Sequence, residues 1–257
     1  NYAEFYEQRH FSSAPEGIRS VTLAEGVSVP FSRELLFCDA VHPEVSVACE
    51  ICEDLWVSGA PSVRHARAGA AVIANLSASN EVIGKREYRN TLGKNVCAYV
   101  YSDAGTGESS SDLVFAGNNL IYENGSLLAE AAPFSGGEAV AEIDVAFLLH
   151  ERKRMNTVLS EVSANYLSVA CPFMGDAEPA LRAFSPFPFV PEEESERSER
   201  AELILNMQAH ALANRLSHTK AKTAVIGISG GLDSTLALLV TIRAFDLLQK
   251  DRSGILA

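Results

Sequence analysis

Hydrophobic and polar positions alternate through Val45-Ser46-Val47-Ala48-Cys49-Glu50-Ile51, the period of a strand, and Ser58-Gly59-Ala60-Pro61 follows as a turn with proline placed to open a helix. Residues 69–76 form a continuous apolar run, the pattern of a strand covered on both faces. A helical stretch from about 83 to 96 then leads into a strand at Ala98-Tyr99-Val100-Tyr101. Beyond Gly105 the pattern shortens. Residues 112–116 and 119–122 flank a Gly-Asn turn, Glu123-Asn124-Gly125-Ser126 reads as a two-residue hairpin loop, and 139–144 reads as the last strand of the meander. The first part of the chain therefore predicts α/β units joined to hairpins, a sheet-on-sheet core with outer helices. It contains no internal repeat.

Three prolines fall within Ala183-Phe184-Ser185-Pro186-Phe187-Pro188-Phe189-Val190-Pro191, and an acidic run, Glu192 to Glu199, comes next. This composition marks a boundary: a first domain over 1–182, a linker over 183–200 and a second domain over 201–257. The acidic run suits the amino end of a helix through the macrodipole, with Leu203, Met207, Ala211 and Leu212 as its apolar stripe. A buried strand is expected over 223–228 and a strongly apolar helix over 235–250.

At 257 residues, 47% hydrophobic and 21% charged, the chain is neither disordered, collagenous nor a disulfide scaffold. With 33 acidic against 21 basic residues the net charge is −12, so no nucleic-acid partner is expected and phosphate chemistry must sit in a small local site. Five scattered cysteines, Cys38, Cys49, Cys52, Cys97 and Cys171, fit a reducing cytoplasm. No apolar run reaches the ~18 to 20 residues that span a bilayer, and the first residues lack the basic and apolar regions of a signal peptide. A start without Met and a close at Ser253-Gly254-Ile255-Leu256-Ala257 read as a fragment of something longer.

Between the expected strand and helix of the second domain lies a glycine-containing loop that opens a helix, where backbone N–H groups can meet an anion. No Gly-Lys-Ser/Thr follows, so the hydroxyls of Ser229, Ser234 and Thr235 must do the work of the Walker lysine. Asp233 would be repelled by bare phosphate, and its carboxylate makes sense where Mg²⁺ bridges it to the phosphates. A plain strand-to-helix turn is the alternative. Gly227-Ile228-Ser229-Gly230-Gly231-Leu232-Asp233-Ser234-Thr235 resembles the pyrophosphate loop of the ATP pyrophosphatase family, which cleaves ATP to AMP and pyrophosphate.

Cys52 lies where the strand begun at Val45 runs out, the place where α/β folds put reactive groups. Its alternatives are a redox or zinc pair with Cys49 and an inert buried thiol. Glu53 and Asp54 beside it do not favour a thiolate, and His42, His65 and His150 stand at no spacing that suggests a Cys-His pair, so activation must come from elsewhere.

Glu50-Ile51-Cys52-Glu53-Asp54-Leu55-Trp56, Ala74-Asn75-Leu76-Ser77-Ala78-Ser79-Asn80 and Tyr99-Val100-Tyr101-Ser102 resemble the nitrilase-type glutaminase domain of the glutamine-dependent NAD synthetases. Asn1-Tyr2-Ala3-Glu4-Phe5-Tyr6-Glu7 resembles the segment just after that family's catalytic Lys, and Phe187-Pro188-Phe189-Val190-Pro191 its interdomain stretch. The resemblance implies a nitrilase-like α-β-β-α sandwich, truncated at its amino end, followed by the start of a Rossmann-like ATP pyrophosphatase domain. It implies that Cys52 attacks glutamine, with the Glu53 amide holding the oxyanion, and that Glu53, Ser79 and Tyr2 bind the substrate. For Ser79 the plain alternative is a loop hydroxyl that caps the next helix. The family's catalytic Glu and Lys lie before Asn1. Gly227, Ser229, Gly230, Gly231, Asp233, Ser234 and Thr235 would bind ATP, with Mg²⁺ on Asp233, and the ammonia would amidate adenylated deamido-NAD in a cytoplasmic homo-oligomer. Two other readings stay open: another amidotransferase of the ATP pyrophosphatase type, or a non-catalytic fragment.

Overall fold

The computed structural model describes residues 10–82, 96–105, 107–108, 113–155, 165–173 and 182–257. It divides into two compact units, Asn1–Arg182 and Ala183–Ala257.

The first unit opens with an antiparallel hairpin of β1 (Arg19–Ala24) and β2 (Val27–Phe31). Its centre is a seven-stranded mixed sheet built from β3 (Leu35–Asp39), β4 (Ser46–Ile51), β5 (Val72–Ser77), β6 (Ala98–Asp103), β7 (Leu120–Glu123), β8 (Ser126–Glu130) and β9 (Leu167–Cys171), in the order β8-β7-β6-β5-β4-β3-β9. β4, β5 and β6 run parallel at its heart, with Ile51 paired to Leu76 and Ser77 to Asp103. Helix α1 (Pro61–Ala68) makes the β4-to-β5 crossover. Pro61 presets its first turn, and Gly69, in the left-handed region at φ 118°, ends it.

Registered partners share a face, so Ala48, Ile73, Tyr99, Tyr101, Leu120 and Tyr122 form one buried cluster, against which Ala66 and Ala68 of α1 pack. On the other face the carboxyl ends of β4 and β5 are open: Ile51 is 62% and Leu76 57% exposed. The run over 69–76 is therefore covered on both faces at its start, where Ala70 and Ala71 are fully buried, and on one face only at its carboxyl end. Helix α2 (Val145–Arg154) sends Arg152 to the carbonyls of Gly69, Ala70 and Val96, pinning the amino ends of β5 and β6.

The Asn124-Gly125 turn joins β7 to β8, as the hairpin pattern predicts. Two neighbouring expectations are corrected. Within 112–116, Phe115 makes only an isolated bridge to Asn80, and 139–144 joins no ladder. The Asp144 N–H goes instead to the Glu123 side chain at 2.6 Å, a carboxylate also gripped by both Arg182 terminal nitrogens at 2.9 and 2.8 Å. That polar clamp takes over the role of a strand pairing. The helix expected at about 83 to 96 falls almost entirely on residues outside those described.

In the second unit α3 (Glu194–Thr219) begins inside the stretch read as linker, with Glu194 and Glu196 in its first turn. Its buried positions are Ala209, Ala213 and Leu216; of the predicted stripe, Leu212 packs half-buried against the cluster of Ala213 and Leu216, while Leu203, Met207 and Ala211 are exposed. The partner decides the face: α4 (Leu232–Leu247) brings Ala244 and Phe245 against Ala213 and Leu216. The expected strand over 223–228 shrinks to β10 (Ala224–Val225), parallel to β11 (Ile255–Leu256), and it is not buried, since Val225 is 79% exposed.

Ile73→Ala is expected to destabilise the first unit by about 2 to 5 kcal/mol, and Leu76→Ala by no more than about 0.5 kcal/mol because that side chain lies open; urea titration followed by circular dichroism measures both.

Candidate functional site

β4 delivers the chain to Cys52, which starts a tight turn, Cys52–Trp56, with a left-handed backbone at φ 46°. A residue with a Cβ holds that conformation at a cost of roughly 1 to 2 kcal/mol, so the surroundings must impose it. One fastening is the Ile51 N–H, which donates to Asp54 Oδ2 at 2.9 Å and closes the turn on itself. Asp54 is thereby a structural acceptor. Cys52 is buried and Cys49 exposed, both as free thiols, so the strand separates the two members of the Cys-x-x-Cys pair.

Beneath the turn sits a carboxylate that sequence reasoning passed over. Glu50, 2% exposed, accepts the Ser62 N–H on Oε2 at 2.8 Å, the Tyr99 hydroxyl on Oε1 through a short bond, and the Asn75 amide on Oε1 at 3.4 Å. The Ser62 bond matters because Ala60, the residue before α1, has no side chain able to cap it; Glu50 reaches across from the strand and meets the helix amino end with negative charge. Asn75 also donates to the Cys52 carbonyl at 3.4 Å, and its own oxygen accepts Ser77 Oγ at 2.7 Å. The available signal was a polar amide inside an apolar strand run.

Ser79 lies two residues past the end of β5, and its N–H donates to Asp103 Oδ1 at 2.9 Å. Asp103 closes β6, also accepts the Ala104 N–H at 3.0 Å, and receives its own anchoring through Asn119 Oδ1 at its N–H. The parallel, registered β4 and β5 thus bring Cys52, Glu53 and Ser79 to one edge of the sheet, the carboxyl edge, where β6 adds Asp103. Tyr2 lies outside the described residues. His65 is buried, with Nδ1 2.8 Å from the Tyr166 hydroxyl, and desolvation followed by the charge of Arg64 lowers its pKa; it is a packing residue of α1. His42 stands on the surface, 3.5 Å from Glu44.

Burial pushes the Cys97 thiol up to about 12, with Glu50 adding to the rise and Arg152 opposing it. Burial, followed by the charge of Glu50, likewise raises the Tyr99 phenol. Both groups stay protonated, so the Tyr99 hydroxyl remains a donor to Glu50.

In the second unit Gly230 adopts φ 82°, the region open to glycine, and α4 starts at Leu232. Ser229 Oγ and Ser234 Oγ stand 3.3 Å apart, and Ser234 and Thr235 hydroxyls donate to the Gly231 carbonyl at 3.0 and 2.9 Å. No side chain caps the helix start at Gly231, and Asp233 sits in its first turn. A Cβ at Gly227 or Gly230 would meet nothing within 4 Å, so the loop has open space beside its backbone. Hydroxyls and uncapped helix-start amides around open space fit an anion. Asp233 supplies one carboxylate, which suits a cation that takes its other ligands from phosphate oxygens.

Over 272 aligned residues the chain is 39% identical to the glutamine-dependent NAD(+) synthetase of Mycobacterium tuberculosis and 38% identical to that of Mycobacterium leprae, taking in 100% of this chain in each case. The chain belongs to the glutamine-dependent NAD(+) synthetase family. It spans 40% of the length of these relatives. No family model matches it. The solved glutamine-dependent NAD+ synthetase of Acinetobacter baumannii, 19% identical, aligns with 99% of this chain and 37% of its own at a TM-score of 0.42, a likeness that adds nothing to the fold derived above. No helix of the described residues is long and apolar enough to cross a membrane.

For this NAD(+) synthetase homologue the two raised groups fix a pH dependence. Folded protein keeps the Cys97 and Tyr99 protons that the unfolded chain releases, so stability is full below the ordinary thiol value of 9.0 and falls as pH climbs from there toward about 12. Cys97 contributes roughly 1.4 kcal/mol per pH unit to that fall. Urea midpoints at pH 8 and pH 10 should show it, and Cys97→Ala should lessen the difference.

Proposed function

We propose that the chain contributes the glutaminase nucleophile and the ATP-phosphate loop of an enzyme that amidates deamido-NAD to NAD. The observation that carries this reading is Cys52 held in a left-handed turn at the end of a central parallel strand, beside the loop of Ser79. Strained turns of this kind present a nucleophile at the carboxyl edge of a sheet. In the proposed first reaction the Cys52 thiolate attacks the glutamine side-chain amide carbon, and the Glu53 N–H holds the oxygen that gains charge. Ammonia leaves as the thioester forms, and water then releases glutamate. The base and a second oxyanion donor are the Glu and Lys that the family resemblance places upstream of Asn1. Glu53, Ser79 and Tyr2 hold the substrate.

In the second reaction the loop from Gly227 to Thr235 holds the ATP phosphates, with Ser229, Gly230, Gly231, Ser234 and Thr235 around them; Asp233 would hold Mg²⁺, which would supply positive charge to offset that of the phosphates. The nicotinate carboxylate of deamido-NAD attacks the α-phosphorus, pyrophosphate leaves, and ammonia then displaces AMP to give the amide. The 16-residue α4 behind the loop directs its positive end at the transferred charge. The enzyme works in the cytoplasm as a homo-oligomer, a form that encloses the ammonia in transit.

The test uses the full-length gene product. Cys52→Ser should abolish glutamine hydrolysis and labelling by 6-diazo-5-oxo-norleucine, yet leave NAD formation from added ammonium chloride within about twofold. Gly230→Val, which forces a branched side chain into φ 82°, should cut NAD formation from either nitrogen source more than about tenfold. Retained glutaminase activity in Cys52→Ser would overturn the first assignment. Amidation of a compound other than deamido-NAD would overturn the acceptor.

A further inference from the structure

Asn75 faces Glu50 in the β4–β5 register and is 1% exposed. Its carboxamide is oriented by its neighbours: Ser77 Oγ donates to Oδ1, which leaves the amino group to meet two acceptors, the Glu50 carboxylate and the Cys52 carbonyl. Only a donor satisfies both. The Cys52 carbonyl shares its peptide plane with the Glu53 N–H, and in a trans peptide the two point in opposite directions. Whatever fixes the carbonyl therefore fixes the N–H.

We propose that Asn75 is a positioning residue that aims the Glu53 N–H, acting through the Cys52 carbonyl and the buried Glu50 carboxylate. The proposal rests on Cys52 being the glutaminase nucleophile, since only then does that N–H face a developing oxyanion. Without the Asn75 donor the Cys52–Glu53 peptide can rotate, the left-handed turn loses one of its restraints, and the oxyanion loses a prealigned partner. Asn75→Asp would be no substitute. Its second oxygen donates nothing to the carbonyl and sets a like charge against Glu50.

The experiment compares wild type, Asn75→Ala, Asn75→Asp and Ser77→Ala in the full-length protein, with two readouts. The first is steady-state glutamine hydrolysis. The second is the rate of Cys52 alkylation by iodoacetamide, followed by peptide mass mapping; that displacement occurs at a saturated carbon and develops no oxyanion. Asn75→Ala and Asn75→Asp are expected to lower kcat for glutamine about tenfold to a hundredfold with KM within about twofold, while Cys52 alkylation stays within about twofold of wild type. Ser77→Ala should lower kcat in the same sense but less, and it is the variant read if the Asn75 variants do not fold. Unchanged kcat overturns the proposal, and so does a parallel collapse of kcat and alkylation, which would make Asn75 a support of the whole turn. Failure of the underlying reading looks different: wild type itself would hydrolyse no glutamine, and the proposal would fall with it.

Discussion

A carboxylate taken out of water must be met by donors, and Glu50 is met by three that come from three different elements. One is the amino end of α1, one is β5 and one is β6. The charge therefore ties the crossover helix to the central strands at the level where β4 gives way to the Cys52 turn. Apolar packing alone would leave the helix free to slide along the sheet, since dispersion and burial have little direction. A buried ion hydrogen-bonded on both oxygens has a single register. Removing one partner takes a donor from a carboxylate that water does not reach, so the cost falls on the groups that stay behind.

The carboxyl edge of the sheet inherits its order from that level. β4, β5 and β6 are parallel, so their loops leave on the same side; Asp54 closes the Cys52 turn from within it, and Asp103 at the end of β6 takes the N–H of Ser79. At the opposite edge Arg152 occupies the carbonyls where β5 and β6 begin. One edge is thus sealed by a cation and the other shaped by carboxylates and amides. In the second unit the same strand-loop-helix logic recurs on a smaller scale, with Gly230 making the bend and α4 the helix behind it.

How far the residues disclose this depends on what kind of information each feature needs. Period is local, so β4, β6, the β7–β8 turn and the long helices could be read directly. Parity is not: in β4 the apolar alternates Cys49 and Ile51 lie on the open face, while Ser46, Ala48 and Glu50 lie inward, because the helix and Tyr99 supply polar partners there. The same dependence on a partner moved the α3 stripe from Leu203 and Met207 to Ala209, Ala213 and Leu216. Residues 139–144 alternate as a strand should but pair with a side-chain clamp, and no pattern within the segment announces Arg182. At the site, Cys52, Glu53 and Ser79 stood out by motif and by place along the chain. Glu50, Asn75 and Asp103 did not, since their importance lies in whom they meet across 20 or more residues.

The backbone of Cys52 also limits what evolution can try at that position. At φ 46° a side chain branched at Cβ collides with its own peptide, so threonine is shut out although it carries a hydroxyl. Serine and cysteine, with a single γ atom, pass. A lineage that keeps this turn can exchange sulfur for oxygen in one step but cannot adopt the threonine chemistry that other hydrolases use, unless the strand end is rebuilt first.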